Sequence, residues 1–597
     1  MAVEPRATST GDAEQAEKSR SLLSAVGTKV FHLLIVLVVA AIGYWVAPAD
    51  LAPGEYTATV GVTVEGRTLL AELPFTLGQE AGEPVTITEQ TGRYRLVLEG
   101  MSAYPYKLNQ QIRYQVRLLD TQGNEIALAR EDVSSRLTGP NGYAQSLPPT
   151  ERVGNALTFT VRVPFKAKVT LGLLLAVAAL WLLETVPLAA AALLIPVVIV
   201  VTRVTDAQTV LQPFFHPIIV LFLAGFLMAE GMRRTGFDRL VALAVVQRSS
   251  TRPAILMLTM MGITAFLSMW MSNTAAVAII LPIALAILEK IPNSGKGHRA
   301  FSRAMVLGVA YCGTIGGIGS AIGTPANMLA MTFLSEFTGT ELVFVDWFKY
   351  GLPVVLVMVP LIWLYLMLTF GVRKLDVDLG EAIRSEAGTR LTLTRAQKVI
   401  GVIFVIVVLL WLTETLHGID AEIAALAGAL ALFFFGTIKA EDLNRINWNA
   451  LITFGGGMAI GTILMMTGVS DWLALQLIGL GGLPAMLVVL LVAALTVAIG
   501  ALISNTACAA MLIPLAIPLA QILQIDPRLL VAVVAIASSI DFALVIGTPP
   551  TMLAYSTGFF QTSEIFKRGI VLDVIGVIVL SLGTIWVWQL LGAVTIY

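Results

Sequence analysis

Charge is scarce in this chain: Asp, Glu, Lys and Arg supply 13% of its 597 residues, where a soluble globular protein carries about 25%. A cytosolic enzyme built from several water-soluble domains is thereby excluded. Cysteine is almost absent, and both copies, Cys312 and Cys508, lie in apolar stretches, so no disulfide-stapled extracellular module is present. The histidines His32, His216, His298 and His417 form no pair at metal-ligand spacing. A net charge of −1 leaves no basic field for nucleic acid. Nucleotide signatures are missing too. Gly317-Ile318-Gly319 has Ile322 where a dinucleotide fingerprint needs its third glycine, and Gly455-Gly456-Gly457 fails likewise at Ile460. No Walker lysine or nucleophile elbow accompanies them, so ATP-driven transport and serine hydrolysis lack support.

What is present is apolar. Hydrophobic residues make up 57% of the chain and the mean hydropathy is +0.83, which reads as an α-helical polytopic membrane protein. Residues 1–29 form a polar tail, expected in the cytoplasm. Residues 30–47 are long enough for a first transmembrane helix, with a cleaved signal peptide ending near Val46-Ala47-Pro48-Ala49 as the competing reading. Between 48 and 166 the pattern changes to period-two alternation, as in Leu157-Thr158-Phe159-Thr160-Val161-Arg162-Val163. Turn signals such as Gln122-Gly123-Asn124 and Gly139-Pro140-Asn141-Gly142 separate the strands. An inserted extracytoplasmic β-sandwich-like domain is expected there.

From 167 the chain is almost wholly apolar. It divides into a first transport repeat at 167–372, a cytoplasmic linker at 373–397 and a second repeat at 398–597. Arginine and lysine cluster in alternate connections, among them Arg233, Arg234, Lys290, Arg299, Arg384 and Arg395. The positive-inside rule then places the N-terminus in the cytoplasm, with the β domain and the C-terminus outside. For the count to close, the stretches 254–288 and 484–523 must enter and leave by the same face, as re-entrant hairpins.

The second membrane half repeats the first. Trp181-Leu182-Leu183-Glu184-Thr185 returns as Trp411-Leu412-Thr413-Glu414-Thr415 after 230 residues. Gly225, Thr235 and Gly236 return as Gly457, Thr467 and Gly468 after 232, and Ser272-Asn273-Thr274 as Ser504-Asn505-Thr506 at that same offset. Gly323-Thr324-Pro325 returns as Gly547-Thr548-Pro549 after 224. With the orientation above the copies are inverted. Inverted repeats with broken helices in matching places mark a secondary transporter whose site lies at the repeat interface.

The Ser-Asn-Thr tips stand just before helical runs. Their bland reading is helix capping. Their functional reading is a neutral anion cradle of hydroxyls, carboxamides and free N–H groups. The Gly-Thr-Pro segments read either as proline kinks or as unwound backbone offering carbonyls to a cation and a threonine hydroxyl to a substrate. Glu184 and Glu414 are expected at helix ends in an interfacial structural role, with proton carriage as the alternative. Glu230 and Asp541 have no matched partner in the other repeat and receive no role.

These residues, with Ile452-Thr453-Phe454-Gly455-Gly456-Gly457, resemble the divalent anion:sodium symporter family of the ion transporter superfamily over about 430 residues. The resemblance implies an integral protein of the bacterial inner (plasma) membrane. It also implies a homodimer working by an elevator mechanism, with membrane lipid around it and Na⁺ as coupling ion. Substrates of the family are di- and tricarboxylates of the succinate, malate and citrate class, or sulfate. By resemblance, Ser272, Asn273, Thr274, Thr324, Pro325, Asn505, Thr506, Thr548 and Pro549 bind the small anion. Ser268, Ser272, Asn273 and Gly323 would form the first Na⁺ site, and Gly500, Ile503, Asn505 and Gly547 the second. This chain departs from the family at Gly500, where a hydroxyl residue is usual, and at Thr551, where asparagine is usual. Both departures fall in the second half, which keeps anion exchange open beside symport. A membrane receptor sensing solute through the β domain is the alternative outside transport.

Overall fold

In the computed structural model, the described residues are 28–29, 31–48, 54–64, 67–77, 85–91, 93–101, 111–129, 132–139, 143–147, 149–162, 164–291, 296–372, 380, 393–477 and 483–594. Most of the expected tail, most of the expected linker and the 140–142 turn lie outside them.

Alternation in the N-terminal region folds into two antiparallel sheets. The strands are β1 Gly54–Val64, β2 Arg67–Leu77, β3 Val85–Thr91, β4 Tyr94–Met101, β5 Gln111–Leu119, β6 Glu125–Ile126, β7 Val133–Gly139, β8 Tyr143–Ser146, β9 Glu151–Val153 and β10 Ala156–Arg162. One sheet has the order β2-β1-β7-β8; the other runs β3-β4-β5-β10-β9, with β6 paired to β5. Alternate residues such as Ala58, Val60, Leu98, Val116 and Phe159 are fully buried between the sheets, as period-two patterning requires. The Tyr114 hydroxyl bonds Ser135 across the gap. Asp120 closes the β5–β6 turn by accepting from the N–H groups of Gln122 and Asn124, with Gly123 at φ 86°. Gln524 Nε2 ties this region to the helices by donating to the Pro149 carbonyl at 2.5 Å.

The rest is helical, and seven of the described helices are long and apolar enough to cross a membrane. After α1, Phe31–Val46, come α2 Ala167–Leu183, α3 Leu188–Val201, α4 Pro217–Thr235, α5 Phe237–Gln247, α6 Pro253–Ser268, α7 Asn273–Glu289, α8 Lys296–Gly316, α9 Pro325–Thr338 and α10 Trp347–Phe370. The same order then recurs as α11 Arg395–Leu412, α12 Ala421–Phe434, α13 Trp448–Met466, α14 Val469–Gln476, α15 Ala485–Gly500, α16 Asn505–Leu523, α17 Pro527–Ala537, α18 Pro549–Ser556 and α19 Thr562–Ile578.

Two of the sequence repeats serve this order directly. Trp181 Nε1 donates to the Leu188 carbonyl at 3.1 Å and Trp411 Nε1 to the Ala421 carbonyl at 2.8 Å, each pinning the start of the next helix. Thr235 and Thr467 bond back one turn, and Gly236 and Gly468 follow at φ 66° and 70°. That left-handed step favours glycine and re-aims the chain into α5 and α14.

Packing between the halves is reciprocal. Helix α3 lies on α13 while α12 lies on α4, and α9 lies on α16 while α18 lies on α7. The turns 269–272 and 501–504 make α6–α7 and α15–α16 into helical hairpins. Each is followed by a helix that stops and restarts: α8 gives way to α9 across 317–324, and α17 to α18 across 538–548.

Candidate anion cavity between the two repeats

Both hairpin turns and both helix breaks converge on one cavity of about 280 Å³. Ser272, Asn273, Thr274, Thr324, Pro325, Asn505, Thr506, Thr548 and Pro549 all line it, together with Gly323 and Gly547. Ser268 and Gly500, at the ends of α6 and α15, and Ile503, within the second turn, stand outside its lining.

Local rules explain why these residues start helices there. Ser272 and Ser504 each accept from an N–H three residues on, Ala275 and Ala507, both at 3.3 Å. The two serines therefore do cap, as the bland reading held, while the Asn and Thr that follow each of them line the cavity. Pro325 and Pro549 occupy the first position of α9 and α18, where a missing N–H costs nothing and φ is already helical. Four helix N-termini thus line one cavity, each carrying about half a positive charge. The described lining contains no Lys, Arg or His. An anion here meets N–H groups, hydroxyls and carboxamides, but no full positive charge. A second cavity of about 410 Å³ is lined by Glu336, Glu341, Glu414, Asp420 and Glu422, which repel an anion.

Behind the first turn, oxygens crowd together. The Ser268 hydroxyl lies 2.8 Å from Asn273 Oδ1 and 2.5 Å from the Gly313 carbonyl. One hydroxyl proton serves two acceptors, so this cluster has oxygen to spare for a cation. Asn327 Nδ2 donates to the carbonyls of Gly317, Ile318 and Ser320 at 2.7 to 3.3 Å, fixing the unwound segment. In the second half Gly500 brings no hydroxyl, and Thr551 bonds Thr548 at 3.0 Å instead of pinning carbonyls. Asn505 Oδ1 is buried with no hydrogen-bond partner among the described residues.

The remaining wall was not legible as a repeat. Leu188, Phe222 and Phe226 supply an apolar side, and Asn447, Asn449 and Thr453 a polar one. Positions 232 residues before Asn447, Asn449 and Thr453 hold Phe215, Pro217 and Leu221, so pairing the halves could not find them. Asn449 Oδ1 accepts from the Ala189 N–H at 3.0 Å, which joins α13 to the start of α3.

Carboxylates elsewhere have structural partners. Glu230 pairs with Arg233 at 2.6 Å and Arg445 at 3.4 Å. Asp442 pairs with Arg234 and accepts from the Lys439 N–H at 2.7 Å. Burial alone would raise the Asp442 carboxyl, but these contacts outweigh it and hold it below the usual range. Glu414 accepts from the Phe344 N–H at 3.4 Å, and burial pushes its carboxyl up. Glu184 is exposed at the end of α2.

Comparison with known proteins decides the family. Residues 157–594 match the family described as the sodium:sulfate symporter transmembrane region. The chain belongs to that family. It is therefore an integral membrane transporter rather than an enzyme. It is 30% identical over 443 residues to a protein of Staphylococcus saprophyticus named sodium-dependent dicarboxylate transporter SdcS, covering 70% of this chain and 85% of that one. The protein of that name from Staphylococcus aureus strain USA300 is 29% identical over 459 residues, covering 73% and 88%. Among solved structures, the YdaH transporter of Alcanivorax borkumensis matches at 13% identity and a TM-score of 0.47, over 64% of this chain and 87% of that one.

Proposed function

We propose that this chain is a Na⁺-coupled carrier of dicarboxylates of the succinate and malate class, with citrate and other tricarboxylates as related substrates. The observation that carries this reading is the uncharged cavity into which four helix N-termini point. A dianion there is stabilised by helix-end dipoles and hydrogen bonds, and bound sodium supplies the full charges that the lining lacks. The names of the two staphylococcal relatives support sodium and dicarboxylate together. Sulfate is the second reading, favoured by the family's description.

In this account Asn273 and Asn505 each turn one carboxamide toward the anion and toward a cation behind it. Ser272, Thr274, Thr506, Thr324 and Thr548 donate to the anion's oxygens, and Pro325 and Pro549 hold the breaks open. Ser268, Ser272, Asn273 and the Gly323 carbonyl make the first Na⁺ site; Gly500, Ile503, Asn505 and Gly547 make the second. The hairpins and restarted helices move together as an elevator against a frame containing α3, α4, α12 and α13, in a homodimer. The repeats are inverted, the N-terminus is cytoplasmic, and the β domain and C-terminus lie outside the inner membrane.

The test is radiolabelled succinate uptake into proteoliposomes holding the full chain. Uptake should follow an inward Na⁺ gradient and be competed by malate. Competition by sulfate but not malate would select the second reading, and uptake that ignores Na⁺ but needs internal anion would replace symport by exchange.

A further inference from the structure

The two helix breaks differ at one matched position in a way the hairpin motifs do not. At the 224-residue offset that relates Gly323 to Gly547, Gly317 corresponds to Asp541. In the first half, a Cβ built on Gly323 would run into the Gly317 carbonyl oxygen. In the second, a Cβ built on Gly547 would run into the Asp541 carboxylate. The carboxylate therefore occupies, relative to the matched glycine, the place that a backbone carbonyl occupies in the first break.

Asp541 is fully buried, and neither of its carboxylate oxygens completes a hydrogen bond among the described residues. Asn505 Oδ1, from the facing hairpin turn, is likewise unpaired. A donor close by is the Leu544 N–H of the same break, and a second carboxylate, Asp573, is near enough to act on Asp541. Asp573 is itself satisfied, accepting from the N–H groups of Phe542 and Ala543 at 2.9 and 3.1 Å. Three buried acceptor oxygens that complete no hydrogen bond, beside a further carboxylate, call for a bound cation or a proton. The Cβ position of Gly500 lies 3.2 Å from the Ser538 carbonyl and 3.7 Å from Cys508 Sγ, and Asp541 is near enough to Cys508 to act on its thiol.

We propose that Asp541 is a direct ligand of a second monovalent-cation site, supplying a carboxylate oxygen where the first break places the Gly317 carbonyl and offsetting the hydroxyl that Gly500 lacks. Hard cations are held by several oxygens at once, and a carboxylate adds charge to the carboxamide of Asn505. The two sites then differ in kind: the first is neutral, built on Ser268 and Asn273, and the second is anionic. This rests on the assignment of the two turn-and-break pairs as cation sites.

The test is equilibrium binding of ²²Na⁺ to the purified full chain in detergent, with Na⁺-dependent thermal stabilisation as an independent readout. Wild type should bind ²²Na⁺. Asp541→Asn keeps the side-chain shape and removes the charge, and Asp541→Gly restores the residue of the matched break; either one that remains monodisperse decides. The neutral variant should lose at least tenfold in affinity for the Na⁺ that survives Ser268→Ala, so that the double variant binds little at concentrations that saturate wild type. A neutral variant that binds ²²Na⁺ with wild-type amount and affinity overturns the assignment of Asp541 alone. A wild-type chain that binds no sodium overturns the sodium-coupled reading itself, and this proposal with it.

Discussion

Replacing Ser268 by alanine removes one oxygen from a group of three. The hydroxyl stands 2.8 Å from Asn273 Oδ1 and 2.5 Å from the Gly313 carbonyl, fully buried. When Na⁺ occupies the cluster, the variant loses a ligand to a charged group, worth about 1.5–3 kcal/mol. At about 1.4 kcal/mol per tenfold, apparent Na⁺ affinity should fall roughly ten- to a hundredfold. The same change leaves a buried carbonyl without its donor, so the sodium-free protein should also lose about 1–3 kcal/mol of stability. The two effects separate in practice. Initial succinate uptake against Na⁺ concentration reports the first, and thermal unfolding in choline reports the second. Gly500→Ser makes the opposite change in the other half and should raise apparent Na⁺ affinity or steepen the curve. A Ser268→Ala curve that superimposes on wild type would refute the assignment of this cluster to the coupling ion.

Asn273→Ala and Asn505→Ala should each abolish transport while the protein elutes normally in size exclusion; near-normal uptake in either returns the tips to simple helix capping. Asn449→Asp keeps the acceptor for the Ala189 N–H but puts a negative charge in the lining. At about 5 Å and an effective dielectric of about 20 the repulsion is roughly 3 kcal/mol per unit charge, so KM for the succinate dianion should rise at least about a hundredfold; an unchanged KM would remove Asn449 from the site. The Asp442 carboxyl is held below its ordinary value, so its pairing contributes stability above about pH 4 and loses it as pH falls through the folded value. Melting temperature should therefore drop more between about pH 5 and about pH 2.5 in wild type than in Asp442→Asn (values spanning the ordinary carboxylate and the region below it), and equal drops would contradict the pairing. For orientation, a cysteine introduced by Gly123→Cys should react with an impermeant thiol reagent in intact cells and one introduced by Gly388→Cys should not; the reverse would invert the topology.

The features most legible in the sequence were those that physics forces to repeat. A hairpin turn, a helix restart and a Thr-Gly step each need particular residues, so Ser272-Asn273-Thr274, Gly323-Thr324-Pro325 and Thr235-Gly236 announced themselves when they returned in the second half. The period-two alternation of the N-terminal region was equally plain, because two facing sheets bury every second side chain. What escaped was asymmetric. Asn447, Asn449 and Thr453 join the cavity from one half, opposite Phe222 and Phe226 from the other, and no repeat flags a residue whose counterpart is apolar. Asp541 escaped for a related reason. Its counterpart is Gly317, which has no side chain to match, and only the three-dimensional approach to Gly547 makes the substitution of carboxylate for carbonyl visible. The serines of the tips taught a narrower lesson: they cap α7 and α16, so capping and site formation are two uses of one motif.

An anion and its cations that share carboxamides at one cavity must bind in a mutually dependent way. Succinate affinity of the purified chain should be measured by calorimetry in Na⁺ and in choline, and Na⁺ affinity with and without succinate. Linkage requires that each ligand strengthen the other by the same factor. Strong succinate binding in Na⁺, none in choline, and a matching gain in Na⁺ affinity is the predicted result. Succinate binding of equal strength in choline would contradict it.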